Sequence, residues 1–260
     1  MELGLKNRTV LITGASQGIG EGLAMAFARE GCRLKLVARN EAKLGRVAQA
    51  VSASHGMQAE ILPIDMSEPG AIQRVAAFGG DADVLVNNAG SIPGGDLWSV
   101  TEDRWRAGWQ LKVFGYIDLV REIYPLMKAR GSGVILNNIG SGGENPDFDY
   151  VAGCTGNAAL MAFTRCIGGK SIGDGIRVIG VNPGLVATER IWKLFKDRAK
   201  PGSSDEDRNA QMLVNYPLGR PANVQEVAEL FVFLASDCSS YTSGAIFTVD
   251  GGHTSRRSIT

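Results

Sequence analysis

Residues 150–160 read YVAGCTGNAAL and set a phenol, Tyr150, four residues before a thiol, Cys154. Just upstream, ENPDFDY (144–150) adds the carboxylates of Glu144, Asp147 and Asp149. Each of these groups can carry a proton. A phenol of pKa about 10 is a poor base near neutrality unless a neighbouring cation stabilises the phenolate. Whether Tyr150 does acid–base work therefore turns on which cation the fold brings to it.

A second chemistry stands at the other end of the chain. The segment TGASQGIG (13–20) follows the apolar run RTVLIT (8–13) and opens a helix-length segment. Gly14 allows a tight turn, Gly18 lets backbone approach a phosphate, and Gly20 lets helix and strand pack closely. The unpaired N–H groups of the helix start then face a pyrophosphate. A strand before and a helix after turn a weak motif into a specific one for a dinucleotide. The next strand ends LVARN (36–40), with Ala38 where an acidic residue would bind a ribose hydroxyl. Arg39 follows and can hold a 2′-phosphate, which favours NADP over NAD; its other reading is a solvated surface arginine. Gln17 adds no second positive charge to the turn.

The elements that must position these residues alternate along the chain. RTVLIT (8–13), RLKLVA (33–38), AEILPI (59–64), ADVLVN (82–87), GVILNNI (133–139), IRVIGVN (176–182) and AIFTVD (245–250) read as strands. Helix-length segments lie between them, among them 18–30, 41–54, 102–130 and 157–171. Such alternation implies an α/β fold, a doubly wound parallel sheet with helices on both faces. There is no repeat, low-complexity tract or linker, so residues 1–260 read as one domain. The rhythm breaks at 186–217, a charged stretch holding PGSSDEDR, which reads as a substrate lid.

Lysine plus arginine balances aspartate plus glutamate at 27 each, which argues against a nucleic-acid surface. No apolar run of about 18 residues crosses a membrane, and the N-terminus lacks a signal-peptide pattern. Cys32, Cys154, Cys166 and Cys238 are scattered without a C-x-x-C, which fits reduced thiols in a cytoplasm and argues against a metal site.

TGASQGIG, NNAG (87–90), NPG (182–184) with Thr188 after it, and the closing PLGRPANVQEVAELFVFLASDCSSYTSGAIFTVDGG together resemble the short-chain dehydrogenase/reductase family, over about residues 6–252. The resemblance implies a Rossmann-type domain, a nicotinamide cofactor, and hydride transfer between a carbonyl and an alcohol. It implies that Gly14, Ser16, Gln17, Gly18, Ile19 and Gly20 cradle the pyrophosphate. Asp65 would lie near the adenine. Asn88, Ala89, Gly90, Pro183, Gly184 and Thr188 would line the cofactor. It also implies a cytoplasmic homo-oligomer, dimer or tetramer, paired through 102–130 and 157–171.

Family members use an Asn-Ser-Tyr-Lys set, and this sequence departs from it. ILNNIGS (135–141) retains the serine as Ser141. If Tyr150 is the family tyrosine, Cys154 falls on the lysine and three extra residues enter the following helix, about 60° short of a whole turn. The ungapped match of AALMAFTRCIG (158–168) instead puts the tyrosine position at Gly153 and the lysine position at Asn157. Counting back from Gly133 puts the asparagine position at Lys112, in WQLKVFG (109–115). Lysine and asparagine thus look exchanged, either as a charge moved across one pocket or with Lys112 incidental and reaching solvent. In this register the tyrosine slot is empty, Asn157 faces the ribose, and a helical Tyr150 would point away from the slot. Tyr150 serves as the acid/base only if the chain leaves the helix before Gly153; otherwise it is an aromatic wall.

The expected function is that of an NADP-dependent oxidoreductase with an altered proton relay, acting on a small or medium carbonyl or alcohol. NAD is the second candidate cofactor. The alternatives are a protein that binds NADP without efficient turnover, and an enzyme using the same site for non-redox chemistry.

Overall fold

The computed structural model describes residues 2–189, 191–192, 213–214 and 216–256. Most of the expected lid, residues 190, 193–212 and 215, lies outside the described residues.

Seven parallel strands form one sheet. They are β1 (Thr9–Thr13), β2 (Arg33–Ala38), β3 (Ala59–Pro63), β4 (Val84–Asn87), β5 (Gly133–Asn138), β6 (Ile176–Pro183) and β7 (Ile246–Val249). The spatial order is β3-β2-β1-β4-β5-β6-β7. The α-helices among the described residues are α1 (Gly18–Arg29), α2 (Glu41–His55), α3 (Ala71–Phe78), α4 (Glu102–Trp109), α5 (Gly115–Arg130), α6 (Val151–Ser171) and α7 (Val224–Ala235).

Every strand run read from the sequence is present within two residues. The period of two explains why. Val10 and Ile12 face one side of β1 with Leu34 and Leu36, and pack on α1, α2 and α7 through Phe27, Val47 and Phe231. Leu11 and Val37 face the other side and pack on α3 and α5 through Val75, Leu119 and Ile123. Strands buried on both faces are what helix-covered parallel sheets require.

The 102–130 segment is not one regular helix. A π-helical turn, Gln110–Phe114, separates α4 from α5. Helix α6 begins at Val151, six residues before the start read from the sequence. Tyr150 precedes it with φ −141° and ψ 33°, outside helical geometry.

The chain moves outward from β1 to β3 and then returns to β4 on the other side of β1. The order reverses between β1 and β4. A crevice opens at the carboxyl ends of strands at such a switch point.

Candidate active site

A cleft of about 580 Å³ lies there, lined by the segments that leave β1 to β6. Gly14, Ser16, Gln17, Gly18, Ile19 and Gly20 form one wall. Gly14 has φ +66°, and a Cβ on Gly20 would fall 2.1 Å from the Gly14 carbonyl oxygen. Only glycine fits this turn. Asn88 clamps it by donating from Nδ2 to the Thr13 and Gly14 carbonyls at 3.0 and 3.2 Å. Thr13 Oγ1 accepts from the Asn88 and Ala89 N–H groups at 2.9 and 3.0 Å. The opposite wall holds Asn88, Ala89, Gly90, Pro183, Gly184 and Thr188.

At the end beyond β2, Arg39 lines the cleft and is 68% exposed in its side chain. Its Nη1 lies 3.3 Å from Asp65 Oδ2. Asp65 itself does not line the cleft; its neighbours Ile64 and Met66 do. Partial burial pushes the Asp65 pKa up, but donation from Ser67 and the Arg39 guanidinium outweigh that and hold it below the usual value. Sequence reading missed Lys43, which also lines the cleft. Asn40 caps α2 by accepting from the Lys43 N–H at 2.8 Å, and Lys43 Nζ donates to Gln17 Oε1 at 2.8 Å. Glu189 stands 3.6 Å from the same ammonium. The absence of a cation in the glycine turn is thus made good from α2. The signal was the Asn cap, which fixes its third helical residue beside the turn.

At the other end Lys112, on the π-helical turn, lines the cleft. Its Nζ donates to the Ile139 carbonyl. A Cβ on Gly90 would come within 2.9 Å of Lys112 Cδ and 3.0 Å of Cγ, so the bare glycine leaves the channel for this stem. Lys112 does not point away to solvent.

Asn157 departs from expectation. It is 2% exposed and does not line the cleft. A Cβ on Gly140 would lie 3.0 Å from its Nδ2, so the amide abuts the Gly140 backbone; its Oδ1 is buried without a hydrogen-bond partner among the described residues. Lys112 and Asn157 therefore both stand against the Ile139–Gly140 segment.

The position read as an empty tyrosine slot, Gly153, is covered by the ring of Tyr150. A Cβ on Gly153 would fall 2.0 Å from Tyr150 Cζ and 2.2 and 2.4 Å from its two Cε atoms. The ring turns back over Gly153 because Tyr150 stands before the helix. The Tyr150 N–H donates to the Asp147 carbonyl at 3.1 Å, and the Tyr150 carbonyl accepts from Gly153 and Cys154 at 3.0 and 2.9 Å. Cys154 Sγ accepts from the Asp147 N–H at 3.2 Å and so fastens this turn. Glu144 accepts from Thr248 Oγ1 at 2.7 Å, and Asp147 accepts from the Asp149 N–H at 2.9 Å. Ser141 opens a short 3₁₀ turn directly after Gly140. Ser141 directly follows the lining residue Gly140, and Tyr150 Cδ1 lies 3.6 Å from where a Cβ on Gly142 would stand; neither is itself among the lining residues.

A family profile described as enoyl-(acyl carrier protein) reductase matches residues 14–254. Galactitol 2-dehydrogenase (L-tagatose-forming) of Cereibacter sphaeroides is 34% identical over 251 residues, covering 94% of this chain and 93% of the relative. NADPH-dependent reductase BacG of Bacillus subtilis (strain 168) is 31% identical over 257 residues, covering 95% and 98%. The crystal structure of L-sorbose reductase from Gluconobacter frateurii, complexed with NADPH and L-sorbose, superposes with a TM-score of 0.93 at 30% identity, covering 99% of this chain and 100% of that one. The chain belongs to the short-chain dehydrogenase/reductase family. Among the described residues no helix is long and apolar enough to cross a membrane.

Proposed function

We propose that this protein is an NADP-dependent oxidoreductase acting on a carbonyl or alcohol carbon. The observation that carries this is the cleft itself. A glycine cradle at a helix start faces its middle, two cations, Arg39 and Lys43, stand at one end, and a third, Lys112, stands at the other. A dinucleotide fits these residues: N–H groups for a pyrophosphate, guanidinium and ammonium for a 2′-phosphate. Relatives named for NADPH support the same cofactor.

When bound, the nicotinamide supplies or takes the hydride. The chain's own residues must hold the cofactor, orient the carbonyl and move one proton. Lys112 keeps a positive charge beside the Ile139 carbonyl, where it favours the anionic form of any nearby acid. Tyr150 is the proton carrier in this reading, delivered from outside α6 onto Gly153, with Ser141 polarising the carbonyl. A second reading is NADP binding without efficient turnover; it rests on the residues that depart from the family's set, Lys112, Gly153 and Asn157.

Cofactor titration beside a carbonyl panel separates the two. Arg39→Ala and Lys43→Ala should each lower the NADP-to-NAD affinity ratio, by roughly 1.5–3 kcal/mol per charge-assisted contact. An unchanged ratio in both variants removes the selector. Tight NADPH binding with no turnover on any carbonyl favours the binding protein.

A further inference from the structure

Two loops leave the Lys112 end of the cleft and run side by side. One follows Ser91 and the other follows Gly140, both cleft residues. They are clasped where Gly95 bridges Tyr150 and the Gly95 N–H donates to the Asp149 carbonyl at 2.7 Å. Beyond the clasp they present Trp98 and Phe148, 78% and 64% exposed, with ring centroids 6.1 Å apart and planes tilted by 52°. Both rings stand on ordered backbone. Asp96 Oδ1 accepts from the Trp98 and Ser99 N–H groups at 3.0 and 2.7 Å, and the Cys154 contact to Asp147 fastens the second loop. An exposed, pre-positioned aromatic pair is a contact surface in search of an apolar partner.

The charge of the same loops narrows that partner. Residues 91–101 and 141–150 hold Asp96, Glu144, Asp147 and Asp149 and no lysine, arginine or histidine. An anionic substrate would be repelled at this mouth. A cation would be drawn to the carboxylates and to the ring faces together.

We infer that Trp98 and Phe148 form a substrate shelf for a carbonyl compound with an aromatic body and a positive or no charge, in preference to a polyhydroxylated or anionic one. The shelf rests on the redox reading above for its carbonyl, and on its own residues for its selectivity. It sets the chain apart from the sugar-derived substrates named for two of its relatives.

The test uses the full chain loaded with NADPH and four carbonyls: 3-acetylphenyltrimethylammonium, acetophenone, 3-acetylbenzoate and L-sorbose. Turnover and calorimetric binding are both measured, at low and high salt. Expected is an order of cation over neutral over anion, with about tenfold or more between the ends at low salt and a smaller gap at high salt. Trp98→Ala and Phe148→Ala should each weaken the aryl compounds by several-fold, about tenfold at most, while NADPH affinity and native mass stay the same. Equal handling of the three aryl ketones, a preference for L-sorbose, or aryl binding untouched by Trp98→Ala overturns the shelf. So does a fall in native mass on Trp98→Ala, which would give the rings to a second copy of the chain. Calorimetry keeps the two readings apart: aryl binding without turnover ends the redox reading and leaves the shelf, whereas turnover without aryl preference does the reverse.

Discussion

Gly153→Ala should destabilise the protein, although ordinary helix chemistry says the opposite. Residue 153 is the third of α6, and its backbone needs nothing that alanine cannot adopt. Replacing a helical glycine by alanine normally gains about 0.5–1 kcal/mol. Here the added methyl would sit 2.0 Å from Tyr150 Cζ, against about 3.5–4.0 Å for two carbons in contact. The ring must move by about 1.5 Å or leave. Overpacking of this kind costs about 1–3 kcal/mol, so the net change is a loss of up to about 2.5 kcal/mol. In a Tyr150→Ala background the clash is gone and the same substitution should be neutral or stabilising. The double-mutant coupling should thus be about 1–3 kcal/mol. Urea unfolding of the four proteins measures it. If Tyr150 carries the proton, displacing its ring also lowers kcat by about 10²–10⁴, with NADPH affinity unchanged. Gly153→Ala more stable than wild type, with no coupling to Tyr150, would refute the placement of the ring. Normal stability loss with normal kcat would keep the placement and remove Tyr150 from the chemistry.

Two further outcomes are expected. Lys112→Met should weaken NADPH binding by roughly 10- to 100-fold, as loss of a charged contact implies; Gly90→Ala, whose methyl would meet the Lys112 stem at 2.9–3.2 Å, should reproduce part of that loss in wild type and none of it in Lys112→Ala, read by fluorescence titration. For acid stability, donation from Arg220 and then from the Asn223 N–H holds the Glu226 carboxyl down at about 2. A depressed carboxylate stabilises the fold fully above its unfolded pKa and loses that contribution as pH falls through the folded value. Glu226→Gln should therefore flatten the fall in thermal midpoint between the usual glutamate range and about pH 2, and leave its neutral-pH dependence alone.

Much of this architecture is legible in the chain because it rests on local rules. Alternating residues such as Val10, Leu11 and Ile12 can only be a strand covered on both faces, and seven such runs with helices between them define the sheet. Gly14 and Gly20 announce the cradle, since no side chain fits at 20. Other features depend on geometry that no local pattern carries. The π-helical turn at 110–114 has no residue signature, yet it orients Lys112 into the cleft. The sequence pattern places a helix over 157–171. Its true start, Val151, follows from the Asp147 turn and the Cys154 contact. The ring of Tyr150 reaches Gly153 only because that turn precedes the helix. Lys43 gains its place from the Asn40 cap, two elements away in sequence from the glycine turn it completes.

The exchange of lysine and asparagine read from the sequence, at 112 and 157, falls on two side chains that both stand at the Ile139–Gly140 segment. Lys112 donates to the Ile139 carbonyl, and the buried Asn157 amide abuts Gly140. A lysine at 157 would bring a second ammonium to the same peptide. At roughly 6 Å and an effective dielectric near 20, two such charges repel by about 3 kcal/mol. The buried one would also lose its hydration, a cost of several kcal/mol more. A cation on the π-helical turn therefore disfavours one at 157, and a neutral amide is the residue that the remaining space accepts. Removing the usual cation from α6 likewise leaves no charge there to hold a phenolate on the helix itself. With Gly153 bare, the ring of Tyr150 enters from the loop and stands over it. On the reading proposed above, the departures at 112, 153 and 157 are one rearrangement, in which the cation and the phenol enter the site from different elements.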